Sequence, residues 1–448
     1  MRSFPIIGSL AVVAGLAPAL FAPVRAAAPQ DGPCVVATVL RSDREKSFGL
    51  AAQLAAMQPI KGRLLVCTNA AGNSAADFEI RFLWRTAKDA RSSNEAPTMV
   101  AADLDNARRA LLAAMNESFS SQAMARVAME SPKSGTRKCW EVIFPSPHSG
   151  ASLARQFRVA RKLVAAQLVA MNMMTPAAVS WPPNFRPAKM LALYDAEGVG
   201  YYGSTLLDRA VDETTLDART MPVCPEDIRE GILDRCIGVL FPGGTGRGIA
   251  AALHPDGVQR VREFVAKGGG YFGVCAGAYL ATSGRPDYTG MIPLKHDQPW
   301  EKGKSKLKLA LTPEGAALLG AEFSHIETSY HCGPVFRDLA PDGHRAPVTV
   351  LANFESPATD AKGVVRNEMT GTPAIMSMPY QKGRIMIVSP HPESQTKFSP
   401  LVARAICWTI GQNPKSIQAR TASAPHSESV ETAGGEKIET ESADKKQP

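Results

Sequence analysis

The spacing of apolar and polar positions divides the chain into two stretches of alternating strands and helices, separated by a cluster of prolines. In the first stretch CVVATVL (34–40), RLLVCT (63–68), FEIRFLW (78–84) and CWEVIF (139–144) are short β-rich runs. FGLAAQLAAM (48–57) and LDNARRALLAAM (104–115) have helical spacing, the second with Leu104, Ala107, Leu111 and Met115 on one stripe. A longer helix is predicted over 151–172, where Leu153, Phe157, Ala160, Val164, Leu168 and Met171 share a face. Arg155, Arg158, Arg161 and Lys162 lie off that face, and such a basic stripe reads as a solvated surface. TPAAVSWPPNFRP (175–187) then holds four prolines and reads as a linker over about 176–187.

The second stretch runs from Lys189 to about Gly411. KMLALY (189–194) predicts a strand ending in the glycine-containing loop AEGVGYYG, with a helix through STLLDRAVDE. CIGVLFPGG (236–244) is a buried strand entering a glycine turn. DGVQRVREFVAKGGG (256–270) is an amphipathic helix with Val258, Val261 and Val265 on one face, stopped by Gly268. Beyond residue 413 almost no large apolar residue occurs, so 413–448 is expected to be a disordered tail.

Composition narrows the picture. The 448 residues are 45% hydrophobic and 21% charged, which excludes a collagen-like or wholly disordered chain. The net charge of +8 is uneven: residues 29–187 hold 20 Lys/Arg against 12 Asp/Glu, whereas 188–412 hold 23 against 24. A nucleic-acid surface needs a dense basic patch with aromatics. Only pairs such as Arg108-Arg109 and Arg161-Lys162 occur, so no nucleic-acid partner is expected. At the N-terminus Arg2 precedes an apolar run from Phe4 to Phe21, and Ala26-Ala27-Ala28 supplies a cleavage site. Residues 1–28 therefore read as a cleaved signal peptide, and the mature protein as periplasmic or secreted. No later run of about 18 apolar residues follows, so no membrane association is expected after cleavage. An oxidising compartment lets disulfides persist, and among the eight cysteines Cys224 and Cys236 are a candidate pair. His148, His296 and His325 are isolated, no Cys-x-x-Cys occurs, and GTGRG (244–248) lacks the Lys-Ser/Thr of a phosphate loop. No metal and no cofactor are expected.

One segment carries chemistry. GYFGVCAGAYLA (270–281) is an apolar strand meeting Cys275 and then a helix start, the form of a nucleophile elbow. Gly273 and Gly277 keep the flanks small, so strand and helix can approach without side-chain clash. The sulfur then faces a helix N-terminus, which favours a thiolate, and the Ala276 amide is left for an oxyanion. GRIMIVSPHPESQ (383–395) is a second strand ending in His391, with Glu393 two residues on. That pair suits a general base and its orienting acid.

These segments resemble the class I glutamine amidotransferase superfamily, and most closely the amidotransferase-like domain at the N-terminus of biotin–protein ligases. LFPGGTG (240–246), FVAKGGGYFGVCAGAYLA (264–281), YHCGPVF (330–336) and SPHPE (389–393) carry the resemblance, which covers about 188–412. It implies Cys275 as nucleophile, with His391 and Glu393 as its partners. It implies Gly243 and Gly244 as oxyanion-hole candidates beside Ala276, and Tyr330 and His331 on a substrate-facing loop. Neither the nucleotide-binding loop of a ligase nor a synthase domain is visible, so biotin ligation is not expected.

The expected architecture is a flavodoxin-like three-layer α/β sandwich over 188–412, preceded by a second α/β domain over 29–175. The active site belongs at the carboxyl edge of the sheet. Two functions are carried forward. One is an exported cysteine amide hydrolase acting on a small-molecule or peptide amide through a thioester. The other is a catalytically silent binding module on the same fold. A thiol-redox protein would need Cys332 as a partner brought to Cys275 by the fold.

Overall fold

A computed structural model describes residues 33–420 except 41–47, 56, 58, 62, 68–75, 85–96, 102, 116–127, 131–138, 146–151, 176–180, 182–184, 186–187, 201–202, 298–304, 341–346 and 360–362. Residues 1–28, expected to be a signal peptide, His148, much of the proline cluster and the residues beyond Arg420 lie outside the described residues.

Cys34–Val39 (β1) is buried at every position because it lies inside a sheet, below α1 (Phe48–Ala55) and between Arg63–Cys67 (β2) and Phe78–Trp84 (β3), both parallel to it. Thr98–Ala101 (β4), α2 (Leu104–Met115), Ala128–Glu130 (β5), Cys139–Phe144 (β6) and α3 (Leu153–Ala170) complete the unit, with sheet order β2-β1-β3-β6-β4-β5. β4 runs antiparallel to β6. In β3 and β6 the period-2 alternation sends Ile80, Phe82, Trp84, Trp140, Val142 and Phe144 to one face, beneath the three helices.

The second unit follows: β7 (Met190–Tyr194), α4 (Gly203–Asp212), β8 (Arg219–Val223), α5 (Pro225–Arg229), β9 (Gly238–Phe241), α6 (Gly246–Ala266), β10 (Gly270–Val274) and α7 (Ala276–Ala281). Then come β11 (Ser305–Leu311), α8 (Pro313–Leu319), β12 (His325–Tyr330), β13 (Thr349–Phe354), β14 (Ala358–Thr359), β15 (Val365–Arg366), β16 (Pro373–Tyr380), β17 (Gly383–Val388) and α9 (Ser399–Thr409). Nine strands form one sheet in the order β12-β11-β13-β16-β17-β10-β9-β7-β8. The five from β17 to β8 are parallel, and the other four extend the sheet antiparallel. Alternation again sorts the core. Ala192, Tyr194, Val239, Phe241 and Tyr271 face α5, α6 and α7, whereas Leu191, Leu193, Leu240, Phe272 and Val274 face α4, α8 and α9. This gives three layers.

α6 begins at Gly246, earlier than the spacing alone predicts, and kinks at His254 (φ 59°) where Pro255 interrupts it. It stops as expected at Gly268, whose φ is +119°. The folded chain also passes residue 413. Ile417 is buried, and Thr215 and Arg420 amides donate to the Gln418 and Glu213 carbonyls.

The basic stripe of α3 is not solvated. Arg155 pairs with Glu197 (2.6 Å) and Glu226 (2.7 Å), and Arg158 with Glu230 (2.5 Å) and Asp227 (3.3 Å). Arg161 pairs with Asp227, and its guanidinium lies 4.1 Å over Trp181. Together α1 and α3 cover the β8 edge of the large sheet. Trp181 and Phe185 of the proline cluster are stacked and buried in the second unit's core. The candidate disulfide is also corrected, since none of the eight cysteines is bridged. Cys224 Sγ donates to Asp227 (3.1 Å) and Cys236 Sγ to the Ile232 carbonyl (3.5 Å), and burial pushes the Cys236 thiol up to about 12.

Candidate active site

β10 lies between β9 and β17, with Gly273 beside Phe241 and Val274 beside Val388. This register brings three chain turns together at one edge: Pro242-Gly243-Gly244, Cys275, and His391. Cys275 has φ 48° and ψ −96°, a conformation that L-residues seldom hold, and its amide donates to the Val388 carbonyl at 2.8 Å. The elbow needs its glycines. A Cβ on Gly273 would lie 2.5 Å from the Gly277 carbonyl oxygen, and one on Gly277 would lie 2.3 Å from that of Phe241.

His391 is fixed at both ends. Its amide donates to the Ser329 carbonyl (2.8 Å), and Nδ1 lies 2.8 Å from Glu393 Oε1. A carboxylate can only accept, so Nδ1 carries a proton there. Glu393 is buried, and Arg209 of α4 donates to its main-chain carbonyl at 2.8 Å. Nε2 is buried with no hydrogen-bond partner among the described residues, on the imidazole that Cys275 helps to keep protonated. Burial alone would lower the imidazole pKa, but the Glu393 carboxylate and Cys275 outweigh it and hold His391 well above the usual value. The sulfur also lies 3.5 Å from the His331 carbonyl oxygen.

The fold therefore brings Cys275, His391 and Glu393 into one constellation. Gly243 joins them, because a Cβ there would lie 2.5 Å from His391 Cε1 and 3.6 Å from Cys275 Cβ. The amides of Gly243, Gly244 and Ala276 have no hydrogen-bond partner among the described residues, as an oxyanion site requires. Tyr330 and His331 diverge. His331 is exposed, with its ring 5.2 Å from that of His391. Tyr330 is fully buried against Phe354 and donates to the Gly333 carbonyl at 2.7 Å, so it shapes the loop from within.

Two supporting residues were not foreseen. Tyr279 of α7 donates to the Cys332 carbonyl (2.9 Å), tying the elbow helix to the loop over the sulfur. Arg209 reaches a carbonyl far along the chain, and nothing in its local sequence signals that. No cluster of three metal-ligating side chains occurs among the described residues, and no described helix is long and apolar enough to cross a membrane.

Comparison with known proteins adds three findings. The chain has no significant match among functionally curated proteins. Among solved structures it is similar to PurLQS from Thermotoga maritima, with 13% identity, 49% of this chain, 96% of that one and a TM-score of 0.33. It is also similar to a putative ThuA-like protein from Parabacteroides merdae, with 14% identity, 50% and 90% coverage and a TM-score of 0.34. A cytoplasmic protein of Salmonella typhimurium LT2 matches at 12% identity, 49% and 98% coverage and 0.33. Residues 228–289, which hold the β9 turn and the Cys275 elbow, match the family model "Biotin-protein ligase, N terminal".

Proposed function

We propose that the protein is an exported cysteine-dependent amide hydrolase of the glutamine amidotransferase type, without biotin ligase activity. The observation that carries this reading is the convergence of Cys275, His391 and Glu393 at one sheet edge, with His391 held at raised pKa beside the sulfur. Cys275 gives its proton to His391 Nε2 and attacks the amide carbonyl carbon. The tetrahedral oxyanion is met by the Ala276 amide and those of Gly243 or Gly244. Collapse breaks the C–N bond, His391 protonates the departing nitrogen, and an acyl thioester remains on Cys275. Water then gives a proton to His391 and attacks the thioester, releasing the acid and restoring the thiol. Glu393 keeps the imidazole in register throughout and accepts no proton. An imidazole that stays protonated above its ordinary range favours the acid step. The substrate class is a small-molecule or peptide amide, such as a glutamine side chain. The signal-like residues 1–28 support export, and a mature protein beginning near Pro29 would be its signature.

The test is selective alkylation. In the reduced, folded protein at about pH 6.5, iodoacetamide should label Cys275 faster than any other cysteine, as read by mass-spectrometric mapping. His391→Ala should slow that labelling markedly, and Glu393→Gln should slow it less. Slow labelling of Cys275 that ignores His391 would favour the silent binding module and sink the hydrolase.

A further inference from the structure

We infer that the N-terminal unit is a positioning part of the active site, acting through Arg155, Asp195 and Glu197 on the glycine turn that meets the oxyanion. The inference rests on the hydrolase reading and gives the first unit a role in it. Asp195 follows β7 directly. Its Oδ2 accepts from the amides of Leu153 (2.6 Å) and Ala154 (3.2 Å) at the start of α3. Its Oδ1 accepts from Ser204 Oγ (2.7 Å), and its main-chain carbonyl from the Ser152 hydroxyl. One side chain thus joins the N-termini of α3 and α4, one helix from each unit. Two residues on, Glu197 is held by Arg155 at 2.6 Å, and its carbonyl accepts from Tyr194 at 2.9 Å.

The segment so gripped is the one that shapes the turn. The Gly200 amide donates to the Gly243 carbonyl (2.8 Å), the Thr245 amide to the Gly198 carbonyl (2.7 Å), and Val199 bridges Gly244. The fit is tight, since a Cβ on Gly244 would lie 2.0 Å from the Gly198 carbonyl oxygen. Gly243 in turn lies against His391. The path from α3 to the triad is therefore α3, residues 195–200, residues 243–245. Every step in it is a hydrogen bond, an ion pair or van der Waals contact. The test perturbs the far end of this path and reads the near one.

Two reagents separate the effects. Acylation of Cys275 by 4-nitrophenyl acetate passes through a tetrahedral oxyanion, whereas alkylation by iodoacetamide does not. In Arg155→Met the 4-nitrophenyl acetate burst should slow about tenfold, a fraction of the loss seen when an oxyanion donor is removed outright. Iodoacetamide labelling should change less than about twofold, because it depends on the thiol and His391 alone. Amide hydrogen exchange over 242–248 should quicken while that of β10 stays as in the wild type, and Arg155→Lys should recover part of the burst rate. Glu197→Gln leaves Arg155 its Glu226 partner, so it repeats the comparison should Arg155→Met fail to fold. An unchanged burst with unchanged exchange at 242–248 overturns the inference, and so does an equal fall with both reagents. Failure of the hydrolase reading shows separately, as slow iodoacetamide labelling of wild-type Cys275.

Discussion

Gly243→Ala asks how closely the triad is held. The added Cβ would lie 2.5 Å from His391 Cε1, 3.3 Å from Nδ1 and 3.6 Å from Cys275 Cβ. Carbon atoms rest about 3.5–4.0 Å apart, so the ring must retreat by about 1 Å. It has no free direction, because Glu393 holds Nδ1 and Ser329 holds the main chain. A reacting group misplaced by about 1 Å costs about a hundredfold in rate, or about 2.7 kcal/mol. The same crowding should lower stability by about 1–3 kcal/mol, as overpacking does. Iodoacetamide labelling at about pH 6.5 sets the scale of the readout. An ordinary thiol of pKa about 8.5 is about 1% ionised there, so complete loss of the imidazole slows labelling by at most about a hundredfold. Gly243→Ala should slow Cys275 labelling by between about tenfold and a hundredfold, with a thermal melt showing a folded protein. A folded variant that labels at the wild-type rate would refute the argument, since the turn would then have room that the geometry denies.

Three further outcomes follow from the same contacts. Asp227 is buried, and although burial opposes its ionisation, Arg161 and Arg158 hold its pKa below the usual range. Asp227→Asn leaves two arginines under-compensated and should cost about 3–5 kcal/mol in urea unfolding; the stability Asp227 supplies is full above about pH 3.9 and lost as pH falls through its depressed value, so the variant should lack that acid limb. For His391 the sign reverses: its raised pKa supplies stability that is full below about pH 6.5 and fades as pH rises through the raised value, so the wild-type advantage in Tm over His391→Gln should shrink on the alkaline side. Ending the chain at Gln412 should lower Tm, whereas ending it at Arg420 should not, because the Thr215–Gln418 and Glu213–Arg420 bonds and buried Ile417 lie between the two cuts.

What could be read from sequence depended on how local its cause was. The Cys275 elbow was legible because its determinants, Gly273 and Gly277, sit within two residues of the sulfur. His391 and Glu393 were legible because a strand end announces them. The strands β3 and β6 carry clean alternation, whereas β4 and β5, at four and three residues, are too short to show a period. The spacing predicts a helix from 256, and that is the segment beyond the kink, because His254 and Pro255 separate it from the helical turns that begin at Gly246. The resemblance implies a substrate-facing loop at Tyr330, but the inward position of Tyr330 in β12 is set by alternation with Ile326 and Thr328, all three buried.

The α3 arginines mark where local reading fails for a physical reason. Residues spaced i, i+3 and i+6 form a stripe whether the stripe meets water or acids, so the helix itself carries no information on which it will be. The deciding residues lie some forty to seventy positions away: Glu197, Glu226, Asp227 and Glu230. Burying several cations is tolerable only when enough acids arrive with the right geometry, and here Asp227 faces two arginines while Glu226 and Glu197 share a third. The charge distribution did contain a trace of this. Residues 29–187 carry 20 − 12 = +8, against 23 − 24 = −1 over 188–412. An excess placed in one unit and absent from the next fits two halves that meet across complementary charge as readily as it fits a basic surface. The choice between these rests on the acids that follow β7 and β8, and one of them, Glu197, belongs to the β7 end that shapes the turn beside His391. Domain contact and active-site geometry therefore share residues, and a change at one should register at the other.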